Sequence, residues 1–414
     1  MKHISFYKNL FWQYGLQGLR YIFPLLLVPY LTRVLGTDSY AVYAYVLSFM
    51  GIIQTIADFG FTLSGTKGVV KKRDDTISVS QLVGAITFAR LLLLAFLVAV
   101  VLAAIYFIPI LSENLTYVML AFVGVSLRAL LPDFVFQGYE QMGPLTTRYF
   151  VSKGLTVALS FLFVKTPEDL LLVAIADIAG GIVGLIWSFL AMRRLFQVWI
   201  SFPSIQATLC ELRTSAIYCI SNVSSSLFSG FTTIIIGLAI TDKSSIAFWS
   251  LTLTTVNAVQ ALYTPITNSL YPHMLNSSDY SFAKKLALMA LPVLLIGTLA
   301  YCYLSKPIML LLGGTEYVGG ARIMCLVSPV LLFSFYSMLI GWPVLGAMGY
   351  VKELTTSTVF TGLINIATLM CLYLSGRADI EAICFVRWAT DALLLASRSY
   401  YIRKIRASQN GISH

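Results

Sequence analysis

The chain has 414 residues, 58% of them hydrophobic and 11% charged, with a mean hydropathy of +0.83. No water-soluble core needs that much apolar surface. A formal net charge of +10 would suit nucleic acid, but the basic residues border apolar windows instead of forming a basic domain, which excludes that partner class.

A helix crossing about 30 Å of hydrocarbon needs roughly 20 apolar residues, and windows of that length recur along the chain. The first six predicted spans cover 10–31, 40–63, 81–107, 115–136, 147–164 and 168–191. The second six cover 214–240, 246–271, 286–312, 323–348, 354–374 and 380–402. The first is too long for a signal peptide, holds Arg20, Pro24 and Pro29, and has no small-residue cleavage site, so it is expected to stay as a span. The expected fold is an all-α polytopic membrane protein with about twelve transmembrane helices.

With the N-terminus inside, Lys71-Lys72-Arg73, Arg193-Arg194, Lys284-Lys285 and the tail Arg403-Lys404-Ile405-Arg406 all lie on the cytoplasmic side. The opposite side receives Arg33, Lys165, Lys243, Lys306, Arg322 and Arg377. That is about sixteen basic residues against six, the sign of the positive-inside bias, so both termini are expected in the cytoplasm. Cys210, Cys219, Cys302, Cys325, Cys371 and Cys384 contain no CxxC and mostly fall within spans. They read as small packing residues, with neither a disulfide nor a metal site expected. His3, His273 and His414 are far apart in sequence and suggest no histidine-based site.

The longest polar connection, 193–213, lies near the chain midpoint, and its Pro203 is followed by Ile205, Leu209 and Leu212 at helical spacing. It reads as an interfacial helix tying an N-lobe over 1–200 to a C-lobe over 201–414. Thr37-Asp38-Ser39-x-Ala41-x-Tyr43 has a counterpart in Thr241-Asp242 followed by Ser245-x-Ala247-x-Trp249, each at the outer start of the second span of its half. Same-direction duplication of this kind is a plan used by many transporters.

Ionisable groups inside a membrane cost a few kcal/mol each and face a bundle interior or a watery cavity. The cations here are Arg20, Arg90, Arg128, Lys153, Arg387 and Arg398; the anions are Asp58, Asp133, Asp177 and Asp391. Helical spacing puts Gln13, Gln17, Arg20 and Pro24 on one stripe, and aligns Arg387, Asp391 and Arg398 on another. Asn222, Ser226, Ser229 and Thr233 form a third, Asn257, Gln260 and Thr264 a fourth, and Thr361, Asn365 and Thr368 a fifth. Enclosing these stripes would give a hydrophilic cavity between the halves with a positive bias. Arg20, Arg90, Arg128, Lys153, Arg387, Gln17, Asn222 and Asn257 are its candidate substrate-binding residues. Asp58, Asp133, Asp177 and Asp391 are candidates for ion coupling or gating. Plain structural pinning competes with these roles, most directly for the i,i+4 pair Arg387–Asp391. Serine and threonine rows also serve ordinary helix packing. Arginines suit an anionic substrate, because guanidinium forks match phosphate oxygens and stay charged when desolvated.

Ala57-Asp58-Phe59-Gly60-Phe61 closes span two. Pro132-Asp133-Phe134-Val135-Phe136-Gln137-Gly138-Tyr139-Glu140-Gln141-Met142 closes span four, and Pro265-Ile266-Thr267-Asn268-Ser269-Leu270-Tyr271-Pro272 closes span eight. In these motifs and its twelve-span plan the sequence resembles the Wzx-type polysaccharide flippases over nearly its whole length. It departs at Phe134, where the family often has Trp, and at Ala41, where Gly is frequent. The resemblance implies two six-helix lobes in a V with alternating access, in the superfamily that also holds the multidrug and toxin extruders and the peptidoglycan-precursor flippases. It implies transfer of undecaprenyl-diphosphate-linked oligosaccharide repeat units, for O-antigen or a related surface polysaccharide, from the cytoplasmic to the periplasmic leaflet of the bacterial inner membrane. A polysaccharide polymerase and a chain-length regulator are the implied partners, beside membrane lipids. No cofactor is implied. Asp133, Gln137 and Glu140 are then expected to organise helix ends and not to touch sugar.

An envelope polymerase or glycosyltransferase would need a sizeable extramembrane loop, and no outer connection exceeds about a dozen residues, so an enzyme is not expected. A multidrug and toxin extrusion-type antiporter of the same fold is the alternative. It would depend on carboxylates where a flippase depends on arginines. A purely structural membrane protein would tolerate neutral residues at 20 and 90.

Overall fold

The computed structural model describes residues 2–263, 266–267, 270, 274 and 280–412, and among these the side chains outside 2–10, 217–218, 220–230 and 406–412. Helices account for nearly all of the described chain, and none of it is β-strand. α1 (Lys2–Asp58) holds the first predicted span and most of the second in one kinked element. It breaks at Gly36, whose φ of 67° is open to glycine and strained for other residues. A second break follows at Phe59 and Gly60, both left-handed, before α2 (Phe61–Lys72).

The Asp75 carboxylate caps α3 (Thr76–Phe107) by accepting from the Ile77 and Ser78 amides at 3.0 and 3.2 Å. The Ser78 hydroxyl beside it holds this carboxyl below its ordinary pKa. A short α4 (Pro109–Ser112) leads into α5 (Leu115–Ala129). α5 stops there because Pro132 disfavours helical backbone at the residue before it. α6 (Asp133–Gly138), α7 (Met142–Phe163), a 3-10 turn (Pro167–Asp169) and α8 (Leu170–Phe196) complete the series.

The connection after α8 lies against α3: the Trp199 amide donates to the Ser80 hydroxyl at 3.2 Å, and the Ser201 amide to the Ser80 carbonyl at 3.4 Å. Gly84 permits this approach, since a Cβ there would stand 1.7 Å from the Ser201 carbonyl oxygen. α9 (Ile205–Ala239) is continuous. The segment expected as a separate interfacial helix thus forms the opening turns of the helix that makes span seven.

Contacts divide the chain into two compact units, Met1–Ser226 and Leu227–His414, so the division falls within α9. In the second unit Asp242 caps α10 (Lys243–Ala261) through the Ser244 and Ser245 amides. Asp38, its counterpart in the apparent repeat, lies inside α1, so the cap is not repeated. α11 (Tyr280–Tyr303), α12 (Ser305–Gly313), a 3-10 stretch (Thr315–Gly320) and α13 (Ala321–Val327) follow. α14 (Pro329–Leu339) runs into a π-helical segment (Ile340–Gly346) around Pro343, which cannot donate a backbone hydrogen bond. α15 (Val351–Leu374) and α16 (Ile380–Ile412) close the chain.

Among the described residues, seven stretches are long and apolar enough to cross a bilayer by composition alone, and the first, Phe11–Lys72, contains two predicted spans. The remaining four spans belong to α7, α9, α10 and α16. α7 carries Arg148 and Lys153, and α16 carries Arg387, Asp391 and Arg398, which lower their hydropathy while leaving them helical; part of α9 lies outside the described side chains. The chain is an all-α polytopic membrane protein. Large apolar side chains such as Phe96, Leu162, Val293 and Leu299 are exposed, as hydrocarbon-facing residues must be. The apolar core of the first unit gathers Phe61, Val69, Ile86, Phe134 and Phe136; that of the second gathers Tyr263, Phe335, Leu339, Leu345 and Leu354.

One expectation from the sequence is corrected. Cys302, in the last turn of α11, and Cys325, in α13, form a disulfide with their Cα atoms 4.4 Å apart. Sequence spacing gave no sign of it, because 23 residues and two elements separate the pair. Cys210, Cys219, Cys371 and Cys384 are free.

Candidate functional site

Three helices of the first unit converge on Asp177 of α8. Arg128 of α5 donates through Nη1 to one carboxylate oxygen, and Lys153 of α7 donates through Nζ to the other at 2.6 Å. All three side chains keep between 24% and 29% of their surface accessible, so the cluster is reachable from outside the protein core. On α1, Arg20 is exposed and its guanidinium lies 6.0 Å from the centre of the Tyr149 ring.

Two further pairs flank this cluster. Asp133, at the start of α6, accepts from both terminal nitrogens of Arg148 on α7, with Nη2 to Oδ2 at 3.2 Å, and Arg148 also reaches the Ser188 hydroxyl at 3.4 Å. Arg90 of α3 donates through Nη2 to Asp58 at 3.2 Å and through Nη1 to the Leu131 carbonyl at 2.8 Å. Its guanidinium sits between the Phe61 and Phe134 rings, 5.7 and 5.6 Å from their centres, and only 4% of the side chain is accessible. The Thr62 hydroxyl adds a 2.7 Å bond to Asp58. In the span-four motif, the Gln137 amide oxygen accepts from the Thr66 hydroxyl at 3.3 Å, and Glu140 is exposed with a left-handed backbone.

Within these spans five cations, Arg20, Arg90, Arg128, Arg148 and Lys153, meet three carboxylates, Asp58, Asp133 and Asp177. Two positive charges are left over. Arg90 and Arg148 are consumed by their own pairs, so the surplus resides with Arg20 and with Arg128 and Lys153, which share a single carboxylate.

In the second unit Arg387 and Asp391 form the ion pair that their spacing anticipates, with Nε 3.8 Å from Oδ2. That distance is too long for a hydrogen bond, and both atoms are buried without hydrogen-bond partners. Arg398 donates to the Ser337 carbonyl and, at 3.0 Å, to the Thr358 hydroxyl. The Thr390 hydroxyl donates to the Asn365 side-chain oxygen at 3.1 Å, joining the polar rows of α15 and α16.

Of the other sequence candidates, Gln17 and Asn257 are exposed on α1 and α10. The side chains of Asn222, Ser226 and Ser229 lie outside the described residues, as do Thr264, most of the 265–272 motif, His273 and His414. Arg148 and Tyr149 were missed. Their partners sit on other elements, so periodicity along one helix gives no signal, although the location of Asp133 in the span-four motif could have prompted a search for its cation. Among the described residues no three His, Cys, Asp or Glu side chains converge as a metal site would require.

A protein from Escherichia coli (strain K12) named "Putative O-antigen transporter" is 24% identical to the chain, over 97% of each. A protein of the same name from Shigella dysenteriae is 22% identical over 70% of the chain and 72% of its own length. Among solved structures, an inward-facing MATE-family multidrug resistance transporter of the MOP superfamily superposes with a TM-score of 0.73 at 14% identity, covering 94% of this chain and 95% of its own. Lipid II flippase MurJ in an inward closed conformation also gives 0.73, at 13% identity over 95% of this chain and 87% of its own. The chain therefore shares the fold of these two transporters. The family model described as polysaccharide biosynthesis protein matches residues 6–278, about two thirds of the sequence, and the chain belongs to that family.

Proposed function

We propose that this protein is a flippase that carries undecaprenyl-diphosphate-linked oligosaccharide repeat units from the cytoplasmic to the periplasmic leaflet of a bacterial inner membrane, by alternating access, for O-antigen or a related surface polysaccharide. Family membership, the names of its Escherichia coli and Shigella relatives and the fold shared with a lipid flippase support transport of a polysaccharide precursor. The observation that carries the substrate chemistry is the cationic surplus around Asp177. A diphosphate entering the bilayer must be desolvated, and accessible guanidinium and ammonium groups offset that cost with charge-assisted hydrogen bonds of about 1.5–3 kcal/mol each. Arg20, Arg128 and Lys153 are the groups assigned to the head group; the polyprenyl tail stays in lipid. Arg90, expected from the sequence beside Arg20, is assigned a positioning role because its guanidinium is buried and already bound to Asp58 and the Leu131 carbonyl.

Extrusion of cationic drugs, the alternative function of this fold, would draw on carboxylates. The three within the spans of the first unit are each held by a cation, which favours the anionic substrate.

The test is complementation of a strain lacking its own flippase, with surface polysaccharide measured beside the abundance of each variant. An Arg20→Gln, Arg128→Gln double variant is expected to lower export at least tenfold at normal abundance, with lysine at both positions partly restoring it. Normal export by the well-folded glutamine variant would overturn the cationic mechanism.

A further inference from the structure

We propose that Cys302 and Cys325 form a periplasmic disulfide staple that binds spans nine and ten into one mechanical unit. The two sulfurs are bonded across a loop that contains α12 and the Thr315–Gly320 turns, and a Cα separation of 4.4 Å fits a disulfide without backbone movement. The surroundings place this bond near a membrane surface. Arg322, one turn before Cys325, pairs with Glu381 at 2.9 Å, with 74% and 48% of the two side chains accessible, an arrangement that needs water. Tyr303, next to Cys302, is exposed as well, as aromatic residues of the bilayer interface are. The basic residues put this surface outside, and the inference rests on that topology. Disulfides persist in the periplasm and are reduced in the cytosol.

The segment enclosed by the bond is anchored and does not hang free. Met309 and Tyr317 are fully buried and the Tyr317 ring meets Phe248 of α10 at 5.8 Å; just before the segment, the Tyr301 hydroxyl shares a 2.5 Å hydrogen bond with Thr255 of α10. The staple therefore joins α11 and α13 at an end already packed on α10. Motion of these helices during a transport cycle must then come from elsewhere in the unit.

Its chemistry is thiol–disulfide exchange with a disulfide-bearing oxidant of the compartment. The thiolate of one cysteine attacks a sulfur of the oxidant, forming a mixed disulfide and releasing one thiol. The second cysteine's thiolate attacks that mixed disulfide, closing the Cys302–Cys325 bond and releasing the other thiol. The protein loses two electrons and two protons, and the oxidant gains them.

The experiment uses the full chain with Cys210, Cys219, Cys371 and Cys384 replaced by serine or alanine, after its export activity has been checked by complementation. Spheroplasts are treated with a membrane-impermeant maleimide of high mass, with or without prior reduction. The expected result is no added mass before reduction and two tags after it, while Cys302→Ser gives one tag without reduction. The melting temperature of the purified protein should fall on reduction to that of the Cys302→Ser variant, which itself should not respond. Two tags without reduction would overturn the staple and leave the topology standing. Tags that appear only after permeabilisation would overturn both. Neither result bears on the complementation test of Arg20 and Arg128, so failure of the staple and of the transport reading are distinguishable.

Discussion

Arg90 and Arg128 are both guanidinium groups at membrane depth, and their surroundings give them opposite uses. Arg90 has an aspartate, a backbone carbonyl and two aromatic rings around it and almost no accessible surface. A substrate could reach it only by dismantling the contact between α1, α3 and the end of α5. Arg128 divides Asp177 with Lys153 and stays accessible, so an incoming anion can take one of the two cations and leave the carboxylate neutralised by the other. Arg90→Gln is expected to destabilise the fold by about 3 kcal/mol, the lower end of what breaking a buried pair costs, because Asp58 would lose its cation. Thermal unfolding in detergent reads this out. An Arg90→Gln variant with unchanged melting temperature and lost export would instead return Arg90 to the substrate path.

At the scale of elements, the connection after α8 shows how a short irregular stretch is fixed. Its amides use Ser80, and its carbonyl at Ser201 occupies the space left by the missing side chain of Gly84. Gly84→Ala would force the connection off α3, with an expected cost of about 1–3 kcal/mol. The exposed Trp199 and Phe202 should also become faster sites of cleavage by an aromatic-specific protease. Unchanged cleavage and an unchanged melting temperature would argue that the connection is held by something other than this contact. The sequence reading found the long helices α3, α8 and α9 around this connection, although it set the first turns of α9 apart as a separate helix, because apolar length and flanking charge are local properties. It missed Gly84 against Ser201, Arg148 against Asp133 and Cys302 against Cys325, because each is a contact between elements that no spacing along one helix encodes. The same reason explains Arg90: its lack of an acidic neighbour on its own helix was legible, and the aspartate supplied by α1 was not. Arg387 and Asp391, four residues apart on α16, were anticipated because that contact is local.

For the whole molecule, charge asymmetry carries an expectation that helix geometry does not, namely which side faces the cytoplasm. The basic groups Lys71, Lys72 and Arg73 end α2 and are exposed, and Arg193 and Arg194 end α8 in the same state. Such clusters resist translocation, whereas Lys243, Lys306 and Arg322, expected on the opposite side, are scattered singly. Both helix ends also carry their lysines and arginines where the C-terminal dipole favours them, so capping alone could account for the positions, and orientation needs its own measurement. In a cysteine-free background, Lys72→Cys is expected to stay unlabelled by an impermeant thiol reagent in intact spheroplasts and to label after permeabilisation. Lys243→Cys is expected to label in both. Labelling of position 72 from outside, with position 243 protected, would invert the protein in the membrane. The head-group cluster at Asp177 would survive that result, but the direction of transport assigned to it would not.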